Sequence, residues 1–451
     1  MYKNEFDITD FGAVGDGRHD NSNAFAQASR AAQESNGAVI RIKKGVWRTG
    51  PIELFSNTTL HLETDAVLSF IPEPERYAPV YTRWEGIECY AMHPLIFVNG
   101  QTDVAICGQG CVDGSGEAWW NLQRNKKDKG QNKPETDQEL ALAALNAGYD
   151  TQPGGGGGRK MQFLRPPLLQ FYKCRGIKLE GISIRNAPFW TVHPLFSNQI
   201  SIRNITITNP HDAPNTDGID IDSCTDVLIE DCRLSVGDDG IALKSGSGED
   251  GIRVNLPVQA VTIRRCTVEN AHGGVVIGSE TAGGIFDVTT EDCVFNGTDR
   301  GIRIKTRRGR GGHIRNLNFR NVSMENNLCP LAVNMFYRCG ASLEDGFFSL
   351  EAQPVTELTP SIKKLYFENI RATGSRASAG FIAGLPEAPI EELVIHKSSF
   401  ATDENAPDSP LDSDMFLGIP SVEEKSFRLL NVKDPDFSEV TVTGPAHAFL
   451  Y

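Results

Sequence analysis

A short pattern of alternating apolar residues repeats down the middle and end of the chain. With Φ for an apolar residue it reads Φ-x-Φ-x-x-Φ-x-Φ, and successive starts are separated by 23, 27, 34, 27, 29, 48 and 28 residues. Alternation within each half predicts a strand, and the extra residue predicts a bend between two strands. The clear copies begin at Ile177, Ile200, Val227 and Val261, and weaker copies begin at Val288, Leu317, Leu365 and Leu393.

A second strand phrase lies between these copies and begins with glycine. Three short strands per repeat, too short to be buried alone, predict an all-β fold, a right-handed parallel β-helix (solenoid) in which each coil covers the next. A β-propeller or a β-sandwich is the alternative, but propeller blades repeat at about 40–45 residues, and most intervals here are shorter. The glycine phrases are Gly218-Ile219-x-Ile221, Gly240-Ile241-x-Leu243, Gly274-Val275-x-Ile277 and Gly301-Ile302-x-Ile304.

Two segments depart from the repeat. Residues 1–38 are predicted to form an N-terminal cap region, with a capping helix over Ala24 to Glu34 behind the polar residues Asp20-Asn21-Ser22. Residues 115–165 are predicted to form an inserted lobe or loop, with a flexible glycine run from Gly154 to Gly158.

Composition narrows the class of protein. No proline-rich or serine-rich linker divides the 451 residues, so a single β-helix domain over 1–451 is predicted. A formal charge of −14 argues against nucleic acid as a partner. No run of 18 apolar residues and no apolar stretch after Met1 to Asp10 are present, so the sequence predicts no membrane association and a cytoplasmic location, or a secreted or periplasmic one if a signal has been removed.

Ten cysteines in a chain of 451 residues do not indicate a disulfide framework, and no Cys-x-x-Cys pair is present. Cys232, Cys266 and Cys293 recur at one position of the repeat. They are predicted to be a stacked row of reduced thiols in the core.

Acidic and basic residues lie in or next to the second strand phrase, which begins with glycine. Asp217 and Asp239 each precede a glycine and lie 22 residues apart, which suits one turn of a β coil and places them on neighbouring strands about 4.8 Å apart. Asp238 adjoins Asp239, His272 occupies the Asp238 position of the next coil, and the basic pair Arg303 and Lys305 points away from the coil interior.

An outward face with three acids, a histidine and a basic pair suits hydrolysis of an acidic glycoside. One carboxyl must be protonated to donate to the leaving oxygen, while the others must be ionised to activate a water. The cations would hold a substrate carboxylate, arginine by a fork of two donors and lysine as a point charge. No metal or other cofactor is expected.

The set Asn215-Thr216-Asp217, Gly237-Asp238-Asp239, His272-Gly273 and Arg303-Ile304-Lys305 resembles the polygalacturonases, pectin-cleaving glycoside hydrolases with a right-handed parallel β-helix. Phe11 to Gly17 and Gly50-Pro51-Ile52 are also similar to the opening of bacterial members. The resemblance implies cleavage of α-1,4-linked galacturonic acid in pectic polysaccharide or oligogalacturonides, by single displacement with inversion.

The resemblance also implies roles for the catalytic residues. Asp238 would be the general acid, Asp217 with Asp239 would activate the water, and His272 would tune the protonation of the acid. One departure is Ala271 before His272, where the family has glycine. Alanine is small enough that little change is expected.

Four residues are assigned to substrate binding. By the resemblance, Arg303 and Lys305 would grip the galacturonate carboxylate next to the scissile bond, and Asn215 would lie beside the catalytic group. Lys244 shares the column of Lys305 and is included with them.

Several alternatives remain open. Asp217, Asp220 and Asp222 could be a calcium site, since oxygen-rich loops in β-helices sometimes are. A second alternative is a calcium-dependent polysaccharide lyase, and a third is a non-catalytic carbohydrate-binding β-helix. Three further basic residues could form a solvated loop or extend the grip on an anionic chain, namely Arg307, Arg308 and Arg310.

The two long non-repeating segments bear on the mode of action. Residues 115–165 and the Tyr77 to His93 stretch could wall off one end of a substrate cleft. The sequence therefore predicts exo action, with single galacturonates released from chain ends, and leaves the oligomeric state open.

Overall fold

The structure is a computed structural model that describes residues 4–130, 132–148, 159–413 and 415–451. The chain divides into two compact units. Unit 1 comprises Met1–Trp84, Glu88–Asp220 and Cys224–Gly237, and unit 2 comprises Glu85–Ile87, Ile221–Ser223 and Asp238–Tyr451. The single domain expected over 1–451 stays a prediction.

Within the described residues, unit 1 contains three α-helices and strands β1 to β21. Strands β9 and β19 pass from one unit to the other. The elements are β1 (Glu5–Asp7), β2 (Asp16–Asp20), α1 (Ser22–Glu34), β3 (Val39–Ile42), β4 (Gly45–Thr49), β5 (Ile52–Glu53), β6 (Thr59–Leu62), β7 (Ala66–Phe70), β8 (Pro79–Trp84), β9 (Ile87–Met92), β10 (Ile96–Asn99), β11 (Thr102–Gly108), β12 (Cys111–Asp113), α2 (Glu117–Asp128), α3 (Asp137–Leu145), β13 (Leu169–Tyr172), β14 (Arg175–Glu180), β15 (Ser183–Arg185), β16 (Val192–Leu195), β17 (Asn198–Arg203), β18 (Thr206–Thr208), β19 (Ile219–Asp222), β20 (Thr225–Glu230) and β21 (Arg233–Ser235).

Unit 2 is built almost entirely of strands, with one helix after its first strand. Its elements are β22 (Asp239–Lys244), α4 (Gly248–Val254), β23 (Val258–Arg264), β24 (Thr267–Glu269), β25 (Gly273–Gly278), β26 (Ile285–Glu291), β27 (Val294–Asn296), β28 (Arg300–Lys305), β29 (His313–Glu325), β30 (Cys329–Asn334), β31 (Ser361–Ser375), β32 (Gly380–Ala383), β33 (Glu391–Thr402), β34 (Phe427–Leu430), β35 (Asp436–Thr443) and β36 (Phe449–Leu450).

Each unit is a stretch of right-handed parallel β-helix, which confirms the predicted all-β fold. In unit 1, each coil strand pairs in parallel with its counterpart one coil later, as Ile177 with Ile200 and Ile200 with Val227. In unit 2, Val261 pairs with Val288 and Val288 with Leu317. The apolar repeat therefore stacks into continuous buried rows, because a side chain at one position of a coil lies directly on its equivalent in the next.

Glycine opens the second phrase because the interior leaves no room for a side chain there. A Cβ at Gly240 would lie 2.6 Å from the Cγ1 of Val268, and one at Gly301 would collide with the Sδ of Met324. The large core side chains thus fill the space beneath these glycines. This packing brings the backbone of β22, β25 and β28 close together and aligns the residues that flank the glycines.

The helix predicted over Ala24 to Glu34 is present as α1 (Ser22–Glu34) and lies against β3, β4 and β5. The side chain of Asn21 does not cap it. Instead, Asn21 accepts a hydrogen bond from the backbone of Val14 at 2.8 Å and donates to the carbonyl of Arg48 at 3.1 Å. Asn21 therefore ties the N-terminal loops to the first coil.

The 115–165 segment contains two helices that the sequence analysis did not predict. Trp119 and Trp120 of α2 are buried. Thr136 and Glu139 form a capping box at the start of α3, and Lys126 of α2 contacts the buried Glu139 at 2.6 Å. The glycine run Gly154 to Gly158 lies outside the described residues.

The three repeat cysteines are buried free thiols, as predicted, whereas the stacking of Cys232 on the other two stays a prediction. All ten cysteines are free, and Cys232, Cys266 and Cys293 are buried. The thiols of Cys266 and Cys293 interact directly, which together with burial raises the pKa of Cys293 far above its usual value. Among the described residues, no helix is both long and apolar enough to span a membrane.

Candidate active site

Asp239 is the centre of a buried charge cluster in unit 2. It begins β22 and is 1% exposed. Lys305 donates to its Oδ2 at 2.6 Å, and Arg303 donates to its Oδ1 at 3.3 Å. Burial alone would raise the pKa of Asp239, but Lys305, Arg303 and Lys244 outweigh burial and hold that pKa well below its usual range. Asp239 is therefore a permanently ionised carboxylate.

Strand register explains how these side chains meet. Arg303 and Lys305 alternate with the buried Ile302 and Ile304 on β28, so both side chains leave the same face of the strand. The predicted shared direction is correct. Both residues are nevertheless almost completely buried, at 3% and 6% exposure, because they pack with Asp239 rather than extend into solvent.

Asp238 and His272 form a second pair. Asp238 lies just before β22, and the side chain of His272 meets it with Nδ1 3.2 Å from Oδ1. Burial and Asp239 would raise the pKa of Asp238, but the bond from His272 lowers it overall. The same bond raises the pKa of His272. Their bond therefore favours a protonated His272 beside an ionised Asp238, and the two side chains are 42% and 23% exposed.

Lys244 extends the cluster along β22. Its Nζ lies 3.6 Å from an Oε of Glu280, and both side chains are at most 10% exposed. Burial would raise the pKa of Glu280, but Lys244 and Arg310 lower it overall. Lys244 thus joins the Asp239 group to a second buried carboxylate.

Glu280 also has a neighbour from early in the chain. The turn Glu85–Ile87 belongs to unit 2, and the backbone N–H of Ser247 donates to the carbonyl of Gly86 at 3.0 Å. A Cβ on Gly86 would lie 2.6 Å from Cγ of Glu280. This β8–β9 turn therefore closes against the Lys244–Glu280 pair.

Tyr337 and Met415 are site residues that the sequence analysis missed, as is Glu280. The charged groups of Arg303 and Lys305 each lie 5.4 Å from the centre of the Tyr337 ring. The Sδ of Met415 is 3.2 Å from Nη2 of Arg303. Tyr337 lies just after β30, and Met415 lies in the connection between β33 and β34. Neither belongs to a repeated phrase, so the periodicity of the sequence does not reveal them.

The three following arginines are buried, so the solvated-loop interpretation is wrong. Arg308 forms a two-pronged ion pair with Glu387, with Nε–Oε1 at 2.6 Å and Nη2–Oε2 at 2.8 Å. Arg310 donates to Oγ of Ser247 at 2.6 Å. Burial and nearby Arg310 lower the pKa of Arg307 to about 10. Arg308 is committed to a structural contact and is not available to substrate.

Asn215 and Asp217 lie in unit 1. Arg165 donates to Oδ1 of Asn215 at 2.9 Å. Asp217 is 3% exposed, and its carbonyl accepts a hydrogen bond from the backbone of Thr191 at 2.9 Å. Thr216 between them is fully buried and donates to the carbonyl of Ala213 at 3.0 Å. Asp217 stays a predicted partner of the carboxylates of unit 2.

The calcium alternative at Asp217, Asp220 and Asp222 stays a hypothesis. Asp220 and Asp222 are both fully buried on β19. In unit 2, Asp239 is already neutralised by two cations at hydrogen-bond distance, which disfavours a further cation there.

Residues 154–393 match the family model described as glycosyl hydrolases family 28. The chain is 33% identical over 399 residues to a probable polygalacturonase from Vitis vinifera, covering 86% of this chain and 72% of that protein. The chain belongs to glycosyl hydrolase family 28. This family 28 member is accordingly a glycoside hydrolase of the polygalacturonase family, as the residue set predicted.

Solved structures agree with the family. The family 28 chain matches a hyperthermoactive exopolygalacturonase from Thermotoga maritima with a TM-score of 0.77 and 32% identity, over 97% of this chain and 92% of that one. It also matches a family 28 exopolygalacturonase from Yersinia enterocolitica with a TM-score of 0.71 and 21% identity, over 99% and 77% of the two chains. The second likeness supports the fold alone.

Proposed function

We propose that this protein hydrolyses α-1,4-linked galacturonic acid in oligogalacturonides or pectic chains and that it acts from a chain end. The observation that carries the proposal is the cluster of unit 2 in a family 28 member. An ionised carboxylate, Asp239, is fixed by Arg303 and Lys305 beside a second pair of contacting side chains, Asp238 and His272.

Asp238 is the proposed general acid. In the free protein, the bond between Asp238 and His272 lowers the pKa of the acid and raises the pKa of the histidine, which favours the charge-separated form of the pair. A bound sugar would exclude water from the pair, and a drier environment disfavours separated charges. The proton would then pass from Nδ1 of His272 to Asp238, which delivers it to the leaving glycosidic oxygen.

The nucleophile in this proposal is a water molecule. Asp239 stays ionised because of its cations, so it can orient a water or accept its proton. Asp217 is its proposed partner in this role, on the strength of the Asn215-Thr216-Asp217 phrase. The water oxygen bonds to the anomeric carbon as the glycosidic bond breaks, and attack opposite the leaving group inverts the configuration.

The cations supply the proposed specificity for galacturonate. Asp239 occupies one donor of Lys305 and one of Arg303, whereas a lysine has three donors and an arginine has five. The remaining donors can bind the carboxylate of the sugar next to the scissile bond. Lys244 would add a third cation, and Asn215 would contact the sugar beside it.

Exo action is supported by the turn at Gly86. The turn lies against Ser247 and Glu280, and Glu280 contacts Lys244 beside the Asp239 group. A backbone turn at this position would stop a long chain from running past the site. Early release of single galacturonates is therefore expected rather than mixed fragments.

The test is a digest of trigalacturonate and polygalacturonate by wild type and by Asp238→Asn, run in parallel with chelator and with calcium. The proposal expects reducing sugar, no ultraviolet absorbance from unsaturated products, monomer as the early product and almost no turnover by the variant. Ultraviolet-absorbing products that require calcium would indicate a lyase. Binding of the sugars without any cleavage would indicate a carbohydrate-binding protein, and mixed early product lengths would contradict exo action.

The cytoplasmic location stays a prediction. Cell fractionation of the native host would test it, and recovery outside the cytoplasm would contradict it.

A further inference from the structure

Arg165 is a buried arginine at the end of the inserted 115–165 segment. It is 0% exposed. Its Nη1 donates to the carbonyls of Pro188 at 2.9 Å and Pro214 at 3.0 Å, and its Nη2 donates to Oδ1 of Asn215 at 2.9 Å. One guanidinium therefore joins the start of the coil at Pro188 to the loop that carries Asn215 and Asp217.

Aromatic packing fixes the position of this guanidinium. It lies 5.2 Å from the ring centre of Phe189, which stacks on Trp84 at 5.0 Å. The indole N–H of Trp84 donates to the carbonyl of Arg165 at 3.1 Å. Because the plane of the guanidinium and its backbone are both held, its donors have a fixed direction.

This contact decides which way the Asn215 amide faces. The two ends of an asparagine amide have nearly the same shape, so the hydrogen-bond network determines which end is which. Arginine is a donor only, so the oxygen of Asn215 must face Arg165. The amide nitrogen must then face the other way, on a residue that is half-buried and held at a φ of 54°.

We propose that Arg165 is a positioning residue that makes Asn215 present N–H donors to the substrate. This inference rests on the proposed function and extends it. The matching ligand group is an acceptor oxygen of the sugar, a carboxylate or a hydroxyl oxygen, and galacturonate chains are rich in both. Arg165 itself is buried and acts only through Asn215.

The test is a double-mutant cycle in kcat/KM on trigalacturonate with Arg165→Met, Asn215→Ala and the double variant. Each single change is expected to lower kcat/KM by roughly tenfold, the loss for about one hydrogen bond. The two single variants should divide this loss between kcat and KM in the same way. The double variant should be no worse than Asn215→Ala.

Arg308→Met is the matched control. Arg308 is also buried, and its Nη1 likewise donates to two backbone carbonyls, those of Phe347 at 2.8 Å and Ser349 at 2.9 Å. Its side-chain ion pair is with Glu387, not with Asn215. Its effect should add to that of Asn215→Ala, so coupling restricted to Arg165 separates positioning from general loss of packing.

Asn215→Asp gives a second test that does not depend on the folding of Arg165→Met. An aspartate keeps an oxygen for Arg165 and loses the N–H donors, so kcat/KM should fall at least as far as in Asn215→Ala. Wild-type activity in Asn215→Asp, or full additivity in the Arg165 cycle, would overturn the inference. Either result leaves the proposed function intact as long as the wild type cleaves trigalacturonate, whereas a wild type that cannot cleave it contradicts the function itself.

Discussion

Replacing Lys305 by methionine tests whether the Asp239 cluster has the electrostatic character described above. The side chains of Lys305 and Asp239 are 7% and 1% exposed, and their charged atoms are 2.6 Å apart. Methionine has a similar length and no charge, so Lys305→Met leaves the carboxylate buried with Arg303 as its nearest cation, at 3.3 Å.

The size of the effect follows from these distances. Because Coulomb attraction varies as the inverse of distance, Lys305 supplies roughly 55% of the combined attraction from the two cations. Removing one partner of a buried ion pair typically costs about 3–5 kcal/mol. Since Arg303 still compensates part of the charge, the lower end, about 3 kcal/mol of unfolding free energy, is expected.

Urea unfolding at pH 7, followed by tryptophan fluorescence, measures this loss. Asp239→Asn and the Lys305→Met/Asp239→Asn double variant complete the cycle, because an uncharged residue 239 no longer needs the cation. The double variant should recover more than half of the loss. The matched control is Lys178→Met, which removes an equally short ion pair with Glu180 at 2.6 Å where both side chains are about half exposed, and it should cost under about 1 kcal/mol.

Two results would refute this reasoning. One is a Lys305→Met variant as stable as the wild type. The other is a double variant as unstable as Lys305→Met, which would mean that the loss comes from packing of the lysine stem and not from an uncompensated Asp239 charge.

Three further predictions concern other charged groups. Asp238→Asn should fold normally and lose roughly 10²–10⁴-fold in kcat; retained turnover would mean that another group is the acid. The pKa of His272 is raised in the folded protein, so its bond to Asp238 contributes stability that is present below a pH of about 6.5 and is lost as pH rises through the raised pKa. Wild type should therefore exceed His272→Ala in melting temperature at pH 5 and lose that advantage by pH 9, and an advantage independent of pH would contradict this. Glu387→Ala leaves the buried Arg308 without its carboxylate and should lower the unfolding free energy by about 3 kcal/mol in urea; a loss under 1 kcal/mol would show that the carbonyl contacts of Arg308 suffice.

The coils could be predicted because their sequence signal is repeated. Apolar residues such as Ile177, Ile200 and Val227 occupy equivalent positions, and the structure pairs them in register. The helices α2 and α3 could not be predicted in this way. Each occurs once, and the capping box of Thr136 and Glu139 occurs in a segment where no repeat draws attention to it.

The residues of the candidate site also divide into those that the repeat predicts and those that it does not. Asp239 stands directly before its glycine, where strict alternation assigns it to the face opposite to Arg303 and Lys305, so its contact with them does not follow from the pattern. The common face of Arg303 and Lys305 follows from strand alternation alone. Their burial does not, because it depends on residues outside the repeat, such as Tyr337, whose ring lies 5.4 Å from both cations. The position of a residue in the repeat predicts which face of the strand its side chain leaves, but not which neighbouring residues bury it.

Lys305 and Arg303 can neutralise Asp239 and also bind the substrate carboxylate, because they have more hydrogen-bond donors than Asp239 occupies. If the only task of the two cations were to neutralise Asp239, a single short contact would be enough. The structure instead supplies two cations at hydrogen-bond distance, with Lys244 as a third source of positive charge on the same carboxylate.

A chain with a formal charge of −14 repels an anionic sugar at long range. At the site, the cations around Asp239 have more donors than this carboxylate uses, and they can reverse that repulsion. Lys305→Met should therefore weaken substrate binding as well as folding. Rising salt should lower the affinity of the wild type for the anionic sugar more than that of the variant. Equal salt dependence of the two proteins would show that Lys305 supports folding but does not bind the substrate.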